Sequence, residues 1–475
     1  MMHYYLHLLL PFKQELLLLI AVFILLLVQI FGNKPQQEWT MQWMNLLLLI
    51  TVLTGFWQVG YATDVSAMFQ LTPFSAFEKS VLAFATYLIS LQAYKWLLHH
   101  EHMIEFYVLL LASLLGMFCM LSATNLLFFY LGLELSTIPL AILANFHLQQ
   151  KQSSEAAFKF IVSASFASAL LLLGISFLYG STGTLSFNGI ATHLVVNTFS
   201  ILAFVLFFTG LLFKISVVPF HLWTADVYQG APVTVTAFLS VVSKASILFV
   251  LLNFLFKVFH SFAQVWHVMV LILLLLTIII GNLFALRQQN FKRFMAFSSI
   301  TQIGFILIAL LGQNMAGSAA VVYFMVVYLF SNLCIFGVIA LVAATTGKEN
   351  IDDFKGFYQT NPFLAWVLLL GLFSLAGIPP TAGFFGKFFL ILSGIQNARY
   401  FPWITFAALN LMVSLYYYLR VVVVVFHRES AAEIATIHIP QPVKLSFFIC
   451  VAGVIIAGVG SWIYTYIYSL ASAVF

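Results

Sequence analysis

The sequence predicts an all-α, polytopic membrane protein with about 14 transmembrane helices, and three observations carry that prediction. Of the 475 residues, 63% are hydrophobic and only 7% charged, whereas a soluble domain carries about 25% charged residues. Apolar runs of roughly 20 residues, the length of a helix that crosses a bilayer, recur along the whole chain. The short alternating segments of a transmembrane barrel are absent from it.

The spans follow in order near 12–31, 41–58, 74–94, 104–122, 125–146, 156–179 and 198–223, then 233–256, 263–286, 294–312, 316–344, 363–395, 402–425 and 445–470. The first is preceded by MMHYYLHLLL, which has neither a basic leader nor a small-residue cleavage site, so it reads as a span and not as a signal peptide. Polar and turn residues mark the breaks, as in FGNKPQQEW, LQQKQSSE, STGTLSFNG and TTGKENIDDFKG. None is long enough for a soluble domain, so residues 1–475 form one bundle. Two spans are interrupted from within. Pro219 lies inside the seventh, and Gly377, Pro379, Pro380 and Gly383 disrupt the twelfth; a proline removes a backbone donor and breaks or kinks its helix.

Paired interruptions in corresponding halves signal an internal repeat. The expected organisation is three N-terminal spans (1–100), a first five-helix repeat (101–257, spans four to eight), a second, inverted one (258–426, spans nine to thirteen) and a final span (427–475). Loops after odd-numbered spans hold twelve Lys and Arg and the other loops four, which by the positive-inside rule puts both termini outside.

Three lysines remain, Lys214, Lys244 and Lys387, each inside a span, and Glu134 lies about nine residues into the fifth. A charge at the bilayer centre costs about 2.5–3.5 kcal/mol, so the four must face the bundle interior, one another or water. One acid cannot neutralise three bases. A buried lysine loses proton affinity through desolvation and regains it beside a carboxylate, which makes these residues candidates for a proton relay. His221 and Lys214 flank the break at Pro219, where non-helical backbone at membrane depth must line protein or a wet cavity, and His221 titrates near neutral pH. Static ion pairing of the lysines, and a neutral His221 that satisfies local carbonyls, remain open alternatives.

Other motifs carry less. GFFGKFF lacks the spacing and the Ser or Thr of a phosphate loop. HHEH at 99–102 reads as an interfacial polar cluster, not a metal site. Cys119, Cys334 and Cys450 show no paired spacing and read as packing residues. No dinucleotide, haem or hydrolytic motif is present, and a net charge of +5 points to no nucleic-acid partner.

The segment KISVVPFHLWTADVYQGAPVTVTAFLSVVSKAS (214–246) resembles the antiporter-like membrane subunits of respiratory complex I, and its DVYQGAP and SVVSKAS forms look most like the subunit N branch. LGLELSTIP, EAAFKFIVSASFASALLLLG and SLAGIPPTAGFFGKF are similar to the same branch; VTVT at 233–236 departs from the family's usual Thr-Pro. The resemblance implies a proton-translocating subunit of an NADH:quinone oxidoreductase in a bacterial inner membrane. It implies a Glu134–Lys214 pair, relay through Lys244 at the centre, Lys387 at the far half-channel, and His221 helping a water chain. FMN, iron–sulfur clusters and quinone would belong to partner subunits, with no cofactor or metal in this chain. Its partners would be the neighbouring membrane-arm subunits and the lipid bilayer. A cation/proton antiporter, a hydrogenase-type membrane subunit, and a purely structural assembly subunit are the rival functions.

Overall fold

A computed structural model describes residues 10–31, 37–60, 63–66, 68–98, 100–427 and 434–472. Lys34 and Arg428 of the loop count, His99 of the HHEH cluster and both chain ends lie outside the described residues.

Backbone groups find no water in hydrocarbon, so a spanning segment must satisfy them internally as a helix. The spanning helices are α1 (Lys13–Phe31), α2 (Gln37–Gln58), α3 (Pro73–Gln92), α4 (Met103–Ser122), α5 (Leu126–Ala144), α6 (Lys151–Thr182), α7 (Thr198–Ile215), α8 (Val233–Val258), α9 (His260–Ala285), α10 (Phe291–Leu310) and α11 (Met315–Thr346). Next comes α12, made of two half-helices, Pro362–Ala376 and Ala382–Ile395, followed by α13 (Ala398–Val425) and α14 (Gln441–Val459). The expected order of spans is therefore present.

Three local features differ from expectation. The seventh span does not run to 223: α7 stops at Ile215, and a separate short helix, Leu222–Gly230, follows the break. The cause lies upstream of the proline, since the residue before a proline is pushed out of the α region and the chain has already turned at Ser216, whose φ is +63°. The last span ends at Val459, and a further helix, Ser461–Ser472, follows Gly460. A two-stranded antiparallel hairpin, Thr63–Ser66 with Phe69–Leu71, crosses one end of the bundle, where the Thr124 N–H donates to the Met68 carbonyl at 3.1 Å.

The core runs along α3, α8 and α10. In each, 94% of the most apolar stretch is buried within the protein, against 28% for α1 and α13, which lie at its periphery. Between helices in lipid, packing and hydrogen bonds replace the hydrophobic effect, and small residues allow close approach. Gly116 of α4 and Gly132 of α5 show this: a Cβ on Gly116 would strike the Gly132 carbonyl and the Ser136 backbone nitrogen.

Both helix breaks are built alike. After α7 the Val217 N–H reaches back to the Leu212 carbonyl at 3.1 Å, and after the first half of α12 the Ile378 N–H reaches the Phe373 carbonyl at 3.0 Å. The residues that turn the chain, Ser216 and Gly377, have φ of +63° and +86°.

Because no space exists for a side chain at the α4–α5 crossing, Gly132→Leu is expected to destabilise the protein by about 2 kcal/mol. A lowered unfolding midpoint in detergent checks this, and an unchanged midpoint would contradict the crossing.

Candidate functional site

Lys214 stands in the last turn of α7, whose helix ends one residue later because the chain turns at Ser216. Its Nζ donates to Thr137 Oγ1 at 2.5 Å and lies over the Phe160 ring at 5.9 Å. The Thr137 hydroxyl donates in turn to the Leu133 carbonyl at 2.6 Å. The break beside Lys214 is closed by Trp223, whose Nε1 caps the Phe213 carbonyl at 3.1 Å, and by a 2.6 Å bond from Thr224 to Ser216. His221 sits at the start of the short helix, buried, and its Nδ1 has no hydrogen-bond partner.

Lys244 is enclosed in α8, directly after a π-helical turn, Leu239–Ser243. Its Nζ donates to Ser299 Oγ of α10 at 2.8 Å and faces the Tyr228 ring at 5.6 Å. The Ser299 hydroxyl donates in turn to the Ala296 carbonyl at 2.7 Å.

Lys387 lies in the second half of α12 and reaches back across the break. Its Nζ donates to the carbonyls of Leu375 (2.5 Å) and Ala376 (3.2 Å), the last carbonyls of the first half-helix, and lies over the Phe305 ring at 5.5 Å. A cation is favourable at that point because the carbonyl end of a helix carries partial negative charge.

The three lysines are 7%, 0% and 5% exposed. A polar track runs from Lys387 towards Lys244 and ends at Ser298. From the Leu375 carbonyl, held by Lys387, it runs through Gln302 Nε2 (3.1 Å) to the Tyr418 hydroxyl (3.0 Å) and on to Ser298 Oγ (2.5 Å). Ser298 is the neighbour of Ser299, which holds Lys244. Between Lys214 and Lys244 no such hydrogen-bonded track is formed among the described residues; His221, Ser216 and Thr224 are the polar groups at the break.

The expected Glu134–Lys214 ion pair is not made. Glu134 is half-buried on α5 with one oxygen, Oε1, buried and unpartnered, while the lysine is held by Thr137, three residues further on. That hydroxyl is held in place by its own bond to the Leu133 carbonyl one turn back.

Sequence reasoning placed four charges inside the bundle, and the structure adds more. Lys79 and Glu15 form an ion pair at 2.5 Å, both buried, and Glu78 beside them is fully enclosed. Lys292 is buried too, bonded to Glu349 at 2.9 Å and to the Ala231 carbonyl at 3.1 Å. These residues lie within two turns of helix ends, where counting from the sequence takes them as loop charges. The missed signal was FEKS at 77–80, two adjacent opposite charges inside an otherwise apolar run. At the end of the bundle where the basic loops lie, Asp226 gathers Lys159 (2.7 Å) and Arg293 (2.6 Å), and Lys159 also meets Glu155 (2.7 Å).

The profile of the family described as "NADH:quinone oxidoreductase/Mrp antiporter, TM" matches residues 123–413. NADH-quinone oxidoreductase subunit N of Phocaeicola vulgatus is 45% identical over 452 residues, covering 94% of this chain and 95% of that protein. The protein of the same name from Azobacteroides pseudotrichonymphae is 43% identical, covering 97% and 98%. The chain belongs to the NADH-quinone oxidoreductase subunit N family.

Among solved structures, a chain of respiratory complex I from Thermus thermophilus with bound aureothin superposes with a TM-score of 0.81 at 26% identity, covering 94% of this chain and 96% of that one. A chain of the Mrp complex from Dietzia sp. DQ12-45-1b shares the fold, with a TM-score of 0.87 at 18% identity and coverage of 98% and 97%. This member of the subunit N family is a multi-pass integral membrane protein. Within it, the cluster that begins at His100 is an aromatic plug. The His100 ring stacks on Phe146 at 4.9 Å, and His147 Nε2 accepts from Trp96 Nε1 at 3.2 Å. Burial lowers the proton affinity of both imidazoles.

In this subunit N chain, removing one partner of a buried ion pair leaves the other uncompensated. Glu15→Gln is therefore expected to cost about 3 kcal/mol of stability. The double change Glu15→Leu with Lys79→Leu is expected to recover most of it, as a double-mutant cycle on thermal unfolding would show; equal losses in both would contradict a direct pair.

Proposed function

We propose that the chain is a proton-translocating membrane-arm subunit of a multisubunit NADH:quinone oxidoreductase, with protons carried along Glu134, Lys214, Lys244 and Lys387. The observation that carries this proposal is a difference between two kinds of buried lysine. Lys79 and Lys292 are each held by a carboxylate within 3 Å. Lys214, Lys244 and Lys387 make no ion pair among the described residues, and their donors go to hydroxyls and backbone carbonyls. A static structural charge needs a countercharge. An amine held by neutral acceptors can lose its proton and keep its place.

The relay then runs by electrostatics. Approach of the Glu134 carboxylate stabilises the ammonium form of Lys214, and withdrawal onto the arrangement described above, with Lys214 on Thr137, removes that stabilisation. The proton passes towards Lys244, with His221 bridging the broken segment through a water chain. From Lys244 it continues to Lys387 through water ordered by the hydroxyls of Ser299, Ser298 and Tyr418 and the amide of Gln302. A partner subunit supplies the movement of charge that drives the cycle. Flavin, iron–sulfur clusters and quinone lie in partner subunits, where the electron transfer takes place.

The matched construction of the two breaks supports residues 101–257 and 258–426 as inverted repeats, each with one broken helix on the path. The family and the basic-loop asymmetry support placement in a bacterial inner membrane with both termini on the outer side.

In complex reconstituted into vesicles, Lys214→Met and Glu134→Gln are each expected to slow NADH-driven proton uptake by roughly tenfold or more. Wild-type pumping by a fully assembled variant would defeat the relay. Tyr418→Phe removes the hydroxyl that joins Gln302 to Ser298 and leaves the ring packing intact. It is expected to lower pumping without altering the thermal unfolding midpoint by more than about 1 kcal/mol equivalent.

A further inference from the structure

Glu78 has no role in the relay, yet among the described residues it is an acid with both oxygens buried and unpartnered. It lies on α3, 0% exposed, and neither carboxylate oxygen has a hydrogen-bond partner. Its sequence neighbour Lys79 is committed to Glu15 on α1. The cations whose charge reaches Glu78 are Lys257 first and Lys79 second. A carboxylate without donors in such a place costs several kcal/mol, so Glu78 must hold its own proton or be reached by water.

Water has a route. A cavity of about 520 Å³ opens at the end of the bundle away from the basic loops, lined by Thr72, Ser75, Asn125, Thr184, Asn253 and Lys257 among others. By volume it accommodates on the order of ten water molecules. Ser75 and Glu78 are three residues apart, so they share one face of α3, with Glu78 about 4.5 Å deeper along the axis. Lys257 belongs to both settings: it lines the cavity and is the cation that Glu78 senses most. The backbone marks the same residue independently. Within α8 two π-helical turns occur, Leu239–Ser243 directly before Lys244 and Phe254–Val258 around Lys257, and such turns concentrate at functional positions.

We propose that Glu78 and Lys257 form a proton-exchange site between the bundle interior and this cavity, at the end opposite the basic loops. Glu78 as the carboxylic acid gives its proton to the Lys257 amine through intervening cavity water, leaving a carboxylate and an ammonium separated by that water. The ammonium then gives the proton to cavity water, and the same path run in reverse returns a proton from that water to Glu78. Lys79 and Glu15, the other titratable groups beside this face, stay paired and fix the local charge. The site rests on the proton-translocating function proposed above and extends it to a group outside the four-residue path.

The test uses intact complex. Native complex is treated with dicyclohexylcarbodiimide, which attacks protonated carboxyls in apolar surroundings, and the adducts are mapped by mass spectrometry; an adduct on Glu78 is expected. Separately, Glu78→Gln complex in vesicles is expected to pump roughly tenfold more slowly, with Lys214→Met measured alongside. Wild-type pumping by Glu78→Gln while Lys214→Met is impaired overturns the exchange site and leaves the relay standing. Wild-type pumping by both overturns the relay itself. Should Glu78→Gln fail to assemble, the adduct on native complex decides, and its absence overturns the site.

Discussion

In hydrocarbon, an unpaired backbone carbonyl and an unpaired ammonium are each costly, and this protein places one against the other. Breaking α12 at Gly377 frees the carbonyls of Leu375 and Ala376, and Lys387 from the second half-helix donates to both. Neither the break nor the cation would be tolerated alone at that depth. At α7 the same logic runs with different parts: Trp223 and the turn at Ser216 close the carbonyl end, which releases Lys214 to bond Thr137. The broken helices and the buried lysines are therefore one design feature.

That constraint separates charges that hold the bundle together from charges that can change state. Glu15–Lys79 pins α1 to α3, and Lys292–Glu349 fastens the basic end of α10. Such pairs are stable because both members are charged. Lys214, Lys244 and Lys387 have acceptors that serve an ammonium, and an aromatic face each, but no fixed anion. Their protonation can therefore respond to a carboxylate that approaches or withdraws, and Glu134, with one oxygen unpartnered, is the acid positioned nearest to that task.

The polar track on the side of Lys387 is built of side chains, whereas the segment between Lys214 and Lys244 is not. Tyr418 comes from α13, Gln302 and Ser298 from α10, and the carbonyl of Leu375 from α12. Three helices thus share a single chain of hydrogen bonds, which makes their relative positions part of the proton path.

The sequence alone determined the membrane class, the order of the spans, the two interrupted helices and the three lysines within spans, because each rests on local rules of hydropathy, proline geometry and the cost of burying charge. It also carried the family resemblance through the stretch from Lys214 to Ser246. Tertiary structure decided which partner each charge has. Thr137 in place of Glu134 at Lys214, Ser299 at Lys244, and the link from Glu15 to Lys79 across 64 residues are contacts between different helices, and no local pattern specifies them. It also decided that Glu78 is interior: a residue six positions into a helix counts as a terminal charge in sequence, but 94% of the apolar stretch of α3 is buried among other helices, which encloses Glu78 although a cavity opens one turn away.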